Sequence, residues 1–197
     1  GLRCWGIWTN DYGAPTNIAF SIFNSNVAYG ASSASDYNDG NWHNVICIFT
    51  PSTSVQIYVD GILDGSNTTS IPATIDNDVA NVIIGGTLSS GAPIYQFSGN
   101  IDEVAIFNSA LSGADITTIY NSGVPSDISS LSPVGYWRSE NSTFSTNWIV
   151  TDNGSGSNDG TSANMTIEDR LGEAPNSSNN AVSLNMDEVD RETDVPT

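Results

Sequence analysis

Short apolar runs follow one another from the first residues to about position 107, and Gly, Pro, Asn and Asp separate them. "RCWGIW", "IAFSIFN" and "VAYGAS" come first; "NWHNVICIFT" and "SVQIYVDG" follow. β-branched and aromatic residues dominate these runs, which predicts strands. In "YVDGILDG" the pair Asp60-Gly61 supplies the positive φ that a two-residue hairpin turn requires. "VANVIIGG" and "IYQFSGNIDEVAIF" predict further strands. Strands at this spacing, with no helices between them, predict a two-sheet antiparallel sandwich and not a parallel α/β sheet. One helix breaks the series. In "NSALSGADITTIYNSG", Ser112 is placed to cap and Asp115 to face the first-turn amides. Ile116, Ile119 and Tyr120 form the apolar stripe, and Gly123 and Pro125 predict the stop.

The pattern changes near residue 124. "PSDISSLSP" reads as a linker, "VGYWRSE" as one more strand and "DNGSGSNDGTS" as a polar loop. The chain thus divides into a β-sandwich over 1–130, an aromatic strand and Gly/Asn/Asp loop over 131–162, and an acidic extension over 163–197. That extension holds a duplication with a 21-residue offset: "NDGTSANMTIEDRLGEAP" (158–175) against "NNAVSLNMDEVDRETDVP" (179–196). Met165/Met186, Asp169/Asp190 and Arg170/Arg191 are identical pairs in one register. Two copies are too few for a solenoid. One reading is a docking motif used twice, with Met as adaptable anchor and Asp-Arg fixing the register. The other is two similar strands of one domain.

Composition narrows the classes. Hydrophobic residues are 38% and charged ones 13%, a mix that suits a β domain with polar loops better than a helical bundle. There are 22 acidic residues against 4 basic ones, all Arg, for a net charge of −18. Such a surface repels phosphate backbones and anionic membranes, so neither nucleic-acid binding nor membrane insertion is expected. It attracts divalent cations and stays soluble in salt. Cys47 lies in an apolar run, where a buried thiol is the default; a Cys4–Cys47 bridge is the alternative. His43, the only histidine, is expected in a strand with a structural role. The opening "GLRCWGIWTN" starts in mid-strand without an initiator Met, which suggests a fragment of a longer protein. No nucleophile elbow, phosphate loop or zinc motif occurs.

The run "GNWHNVICIF…VQIYVDGIL…VIIGG…FSGNIDEVAIFNSALSGADITTIYNSG", over about residues 41–122, resembles the laminin G-like, pentraxin-like branch of the concanavalin A-like lectins and glucanases. The resemblance implies an all-β jelly-roll sandwich of two curved antiparallel sheets with one short helix. The family's earliest strands have no counterpart ahead of "RCWGIW". Conversely, "SPVGYWRSEN…DNGSGSNDGTS" resembles the way such domains begin, yet here it comes last. Either a second domain is cut short, or a permuted segment, 131–162, completes the sandwich. The second is favoured, because a lone start leaves Tyr136, Trp137 and Trp148 without a core. The same ending is similar to a segment of marine tailed-phage structural proteins, which implies a virion, or more broadly an extracellular or cell-surface location.

The fold implied by the resemblance also brings a possible chemistry. Glycoside hydrolases of this fold set their carboxylates on one strand as E-x-D-x-x-E, so that alternation sends them into one groove. Here Asp102 and Glu103 are adjacent. On a continuous strand Asp102 sides with Val104 and Ile106, and Glu103 with Ile101, Ala105 and Phe107. Hydrolysis by a carboxylate pair is therefore not expected. Asp102 must still be satisfied. The resemblance implies a structural calcium between the opening loop and this acid, held by Asp102, Asp152, Asn158 and Asp159; the alternative is an Asp accepting backbone amides. Asp76, Asn77 and Asp78 read as a solvated turn. Tyr12, Tyr29, Tyr37 and Tyr95 are available as sugar platforms, and none is assigned. The expected function is a non-enzymatic structural or attachment module of a virion. It assembles with other copies or other virion proteins and docks through Met165, Asp169, Arg170, Met186, Asp190 and Arg191. The alternative is a calcium-dependent carbohydrate-binding module that contacts surface glycan.

Overall fold

The alternation in "IAFSIFN" is what builds the first sheet. In the computed structural model, which describes residues 4–9, 17–77, 81–89, 92–163, 165 and 184–185, it forms β2 (Ile18–Asn24) between β1 (Trp5–Thr9) and β3 (Val27–Ser32). All pairs are antiparallel. A second sheet follows, β4 (Val45–Thr50), β5 (Ser54–Val59) and β6 (Ile62–Asn67), also antiparallel and in sequence order. Ile18, Phe20 and Ile22 from β2 meet Val55, Ile57 and Val59 from β5 in one buried cluster. These are the alternate residues of each strand, so a period of two puts one face of each sheet inside. Burying a side chain such as Ile57 contributes roughly 1.5–3 kcal/mol.

The other face of β4 carries Ile46 and Ile48, and α1 (Gly113–Tyr120) packs there through Ile116 and Ile119, with Leu111 and Tyr58. Ser112 caps α1 and Asp115 returns the bond, a complete capping box, as expected. The stop comes earlier than Gly123. Asn121 adopts the left-handed conformation (φ 43°) and ends α1, with a 3-10 turn over Asn121–Gly123 behind it. Asp60 and Gly61 take φ of 50° and 77°, the hairpin geometry that the sequence predicts. These elements form one compact unit, residues 1–80 and 109–123.

The second unit comprises residues 81–108 and 124–197. Here the expected strand "VANVIIGG" does not form among the described residues; 81–86 are irregular, and Val82 and Ile83 are exposed. β7 (Thr87–Ser89) and β8 (Ala92–Ile94) make a short hairpin. The expected strand through the two acids is broken into β9 (Asn100–Ile101) and β10 (Val104–Ile106). β10 pairs with β11 (Gly135–Phe144), β11 with β12 (Trp148–Asp152) and β12 with β13 (Gly160–Thr161), all antiparallel. β14 (Leu184–Asn185), within the second copy of the duplicated segment, pairs with β9. Tyr136 is fully buried. Trp148 packs with Met165, Phe144 and Val150.

No disulfide joins Cys4 and Cys47. Cys47 packs on the sandwich core, and burial pushes its thiol up to about 12, which removes it as a nucleophile at neutral pH.

Candidate functional site

Two departures from regular β structure build the only dense group of charged side chains among the described residues of the second unit. The first is Glu103, whose φ of 52° interrupts the strand between β9 and β10. For a non-glycine residue this is an uncommon conformation that its surroundings must hold. Strict alternation through 102 and 103 therefore fails. The second is a bulge in β11. Trp137 pairs with Asp152 and Ser142 with Val150, so residues 138–141 face Thr151 alone. A bulge re-aims the side chains it carries. Arg138, Ser139 and Glu140 sit in this one.

The acids at 102 and 103 both meet β11. Asp102 Oδ1 accepts the amide of Glu103 at 2.9 Å and the amide of Ser139 at 3.2 Å, and it also takes the Ser139 hydroxyl. Where β10 has ended, this carboxylate stands in for the next carbonyl of the ladder. Asp102 Oδ2 is buried with no hydrogen-bond partner among the described residues. Glu103 accepts the Tyr136 hydroxyl and the Arg138 Nε at 3.2 Å. Arg138 also pairs with Glu140, and its guanidinium lies 5.6 Å from the Tyr136 ring centre. The Glu103 and Glu140 side chains are only 16% and 14% exposed. Burial pushes the Glu103 carboxyl up, and Tyr136 and Arg138 offset this only in part. Glu140 is raised too, first by burial and then, against the pull of Arg138, by Glu103 and Asp102.

Asp152 is the hub of the loop that follows. Its carboxylate accepts the amides of Tyr136, Gly154 and Asn158, each at 2.8 Å. Burial pushes this carboxyl up, and those amides outweigh it and hold it below its ordinary value. Asp159 in turn accepts the Asp152 amide at 3.0 Å.

The structure brings Asp152, Asn158 and Asp159 together and does not bring Asp102 to them. Asp102 binds β11 at Ser139 on the β10 side, and Asp152 binds it at Tyr136 from the β12 side. Two amides three residues apart on an extended strand are separated by roughly 10 Å, whereas ligands of one calcium lie about 2.3–2.6 Å from it. The oxygens expected around one ion are thus divided between two edges of β11. Among the described residues no three His, Cys, Asp or Glu side chains gather as a metal-binding group. Of the expected docking residues, Met165 is 8% exposed and lies against Trp148. Asp169, Arg170, Met186, Asp190 and Arg191 lie outside the described residues.

Sequence reasoning passed over Tyr136, Arg138, Ser139 and Glu140. One signal was available: Arg138 is one of only four cations in a chain with 22 acids, and it stands inside an expected strand. A cation there needs acids beside it.

In the first unit His43 is not in a strand; it lies in the loop just ahead of β4. Its ring nitrogens face Asp60 and Asp39.

An all-β chain with a laminin G-like order of strands and helix defines a class, and comparison with known families agrees. A laminin G family model, described as the concanavalin A-like lectin/glucanases superfamily, matches residues 5–117. That is more than half of the chain, and the chain belongs to this superfamily. No curated protein matches it. Among solved structures, an S-layer domain-containing protein from Clostridium thermocellum is similar, at 28% identity over 53% of this chain and 52% of that one, with a TM-score of 0.36. The chain spans about half of that protein's solved length.

Proposed function

We propose that this chain is a non-enzymatic structural and attachment module of an extracellular or particle surface, working by protein–protein assembly. The observation that carries this reading is the state of the carboxylates. Glycoside hydrolysis needs two carboxyl groups that flank the sugar bond and are free to act on it. Glu103 and Glu140 instead share one guanidinium, Asp102 is spent on Ser139, and Asp152 on three amides. Side chains so engaged serve stability and leave no acid–base pair. The setting we favour is a virion; what supports it is the likeness of the "YWR…DNGSGSNDGT" ending to phage structural proteins. The first copy of the duplicated motif serves the chain itself, since Met165 fills the space beside Trp148. The second, with Met186, Asp190 and Arg191, is the part offered to other copies or to other surface proteins.

The test is assembly of the full chain by light scattering, alongside a glycan array and a polysaccharide-hydrolysis assay, each with calcium and with EDTA. Assembly indifferent to EDTA, lost in Met186→Asp with the melting temperature kept, is the expected result. Release of reducing sugar, or saturable glycan binding abolished by EDTA, overturns it; the latter favours the calcium-dependent carbohydrate-binding reading.

A further inference from the structure

His43 stands between two carboxylates. Nδ1 lies 2.8 Å from Asp60 Oδ2, and Nε2 lies 3.1 Å from Asp39 Oδ1. An ionised carboxylate only accepts hydrogen bonds, so each ring nitrogen must carry a proton to make its bond. A neutral imidazole has one N–H and would turn a lone pair on the second acid. The geometry is therefore that of an imidazolium.

Neither acid is free to swing away. Asp60 Oδ1 accepts the Asn44 amide at 2.9 Å, and the Asp60 amide donates back to the Asn44 carbonyl at 2.9 Å. Asp39 accepts the Asn41 amide at 2.9 Å and the Asn41 side chain at 2.8 Å. Asn41 first, and His43 after it, hold the Asp39 carboxyl down at about 2, so this acid stays charged. The Tyr37 ring meets the imidazole edge-on, with centres 4.9 Å apart and planes at 68°. The titratable groups around the ring are thus Asp60 from the β5–β6 turn, and Asp39 and Tyr37 from the loop. Asp64 on β6 turns to the amides of Ala34 and Ser35 and to Tyr37.

From this arrangement we infer that Asp39, His43 and Asp60 form a proton-operated latch, in which the imidazolium fastens the loop 36–44 to the β5–β6 turn and loss of its proton releases the Asp39 arm. The two arms are unequal. Asp60 is tied into the backbone at Asn44 and makes the shorter contact, so the remaining N–H of a neutral ring stays with it. The Asp39 side chain is 48% exposed, and water replaces the lost donor there. Burial works against the charge on His43, but Asp60 and Asp39 outweigh it and raise the ring above its ordinary value. The latch is closed on the acid side of that raised value and opens as the pH rises through it. Trp42, exposed in the same loop, is presented to any partner on an ordered surface in one state and on a looser one in the other.

The test is nitrogen NMR of the full, isotopically labelled chain, titrated from about pH 5 to about pH 9. Both His43 ring nitrogens are expected to remain protonated to a midpoint above the ordinary histidine value. That midpoint is expected to fall by about half a unit to one unit in Asp39→Asn. Hydrogen exchange at the Asn41 amide is expected to accelerate through the same midpoint, beyond its intrinsic pH dependence. A midpoint at or below the ordinary value, a midpoint unmoved in Asp39→Asn, or Asn41 protection unchanged through the transition each overturns the latch.

Discussion

Arg138 holds in place two glutamates that burial would otherwise keep neutral. Replacing it with Met retains volume but leaves Glu103 and Glu140 without their cation, and losing one partner of a buried pair costs about 3–5 kcal/mol. The loss is expected to be greatest near neutrality. Both carboxyls sit above their ordinary value in the folded chain, through burial first. The folded chain therefore takes up these protons before the unfolded chain does, so their contribution grows as the pH falls and fades as it rises through the raised values. Arg138→Met should accordingly regain part of its loss between about pH 7 and about pH 5. Denaturant melts of both proteins at the two pH values read this; an equal difference at both contradicts the charge account. At this scale the sequence exposed one need and hid another. Asp102 was legible as an acid requiring partners, because it stood among apolar neighbours. The role of Glu103 was not, because it depends on a hydroxyl and a guanidinium more than thirty residues away.

Among the elements, the β5–β6 hairpin is the clearest case of local sequence deciding structure, and Gly61 carries a second constraint that local sequence does not show. Its φ of 77° favours glycine, and a Cβ there would also meet the Tyr120 ring of α1 at 2.8 Å. Gly40 has a similar φ, 79°, with nothing within 4 Å of the added carbon. Gly40→Ala thus isolates the backbone cost, of order 1 kcal/mol, and Gly61→Ala adds the displacement of Tyr120. Thermal unfolding should place Gly61→Ala clearly below Gly40→Ala; coincident curves mean that the ring moves aside without cost. The elements that sequence missed share one physical cause. "VANVIIGG" has strand composition, but composition supplies no partner, and residues 81–86 pair with no strand among the described residues. The bulge at 138–141 leaves no local mark because it is a relation between two strands.

For the whole molecule, charge dominates. A net charge of −18 with no lysine makes folding work against self-repulsion, which salt screens over about 10 Å at 0.1 M. The melting temperature is expected to rise with added sodium chloride. Calcium chloride at matched ionic strength is expected to raise it no further, because the oxygens expected for one ion lie on two edges of β11. Differential scanning calorimetry in the two salts checks this, and a further rise specific to calcium points to a bound ion.

The sequence by itself determined the all-β class, most strands of the first unit, the Asp60-Gly61 turn, the capped helix and the superfamily. All of these rest on periodicity, turn residues or motifs that lie within a few dozen residues of one another. It also identified Asp102 and the 152–159 loop as places where acids need partners. The tertiary structure alone decided what those partners are. Strand β11, which the sequence places after the helix, comes to lie between β10 and β12, and its bulge turns Arg138, Ser139 and Glu140 to the acids. Sequence spacing measures distance along the chain, whereas ion pairing depends on distance in space, and the broken strand at Glu103 uncouples the two.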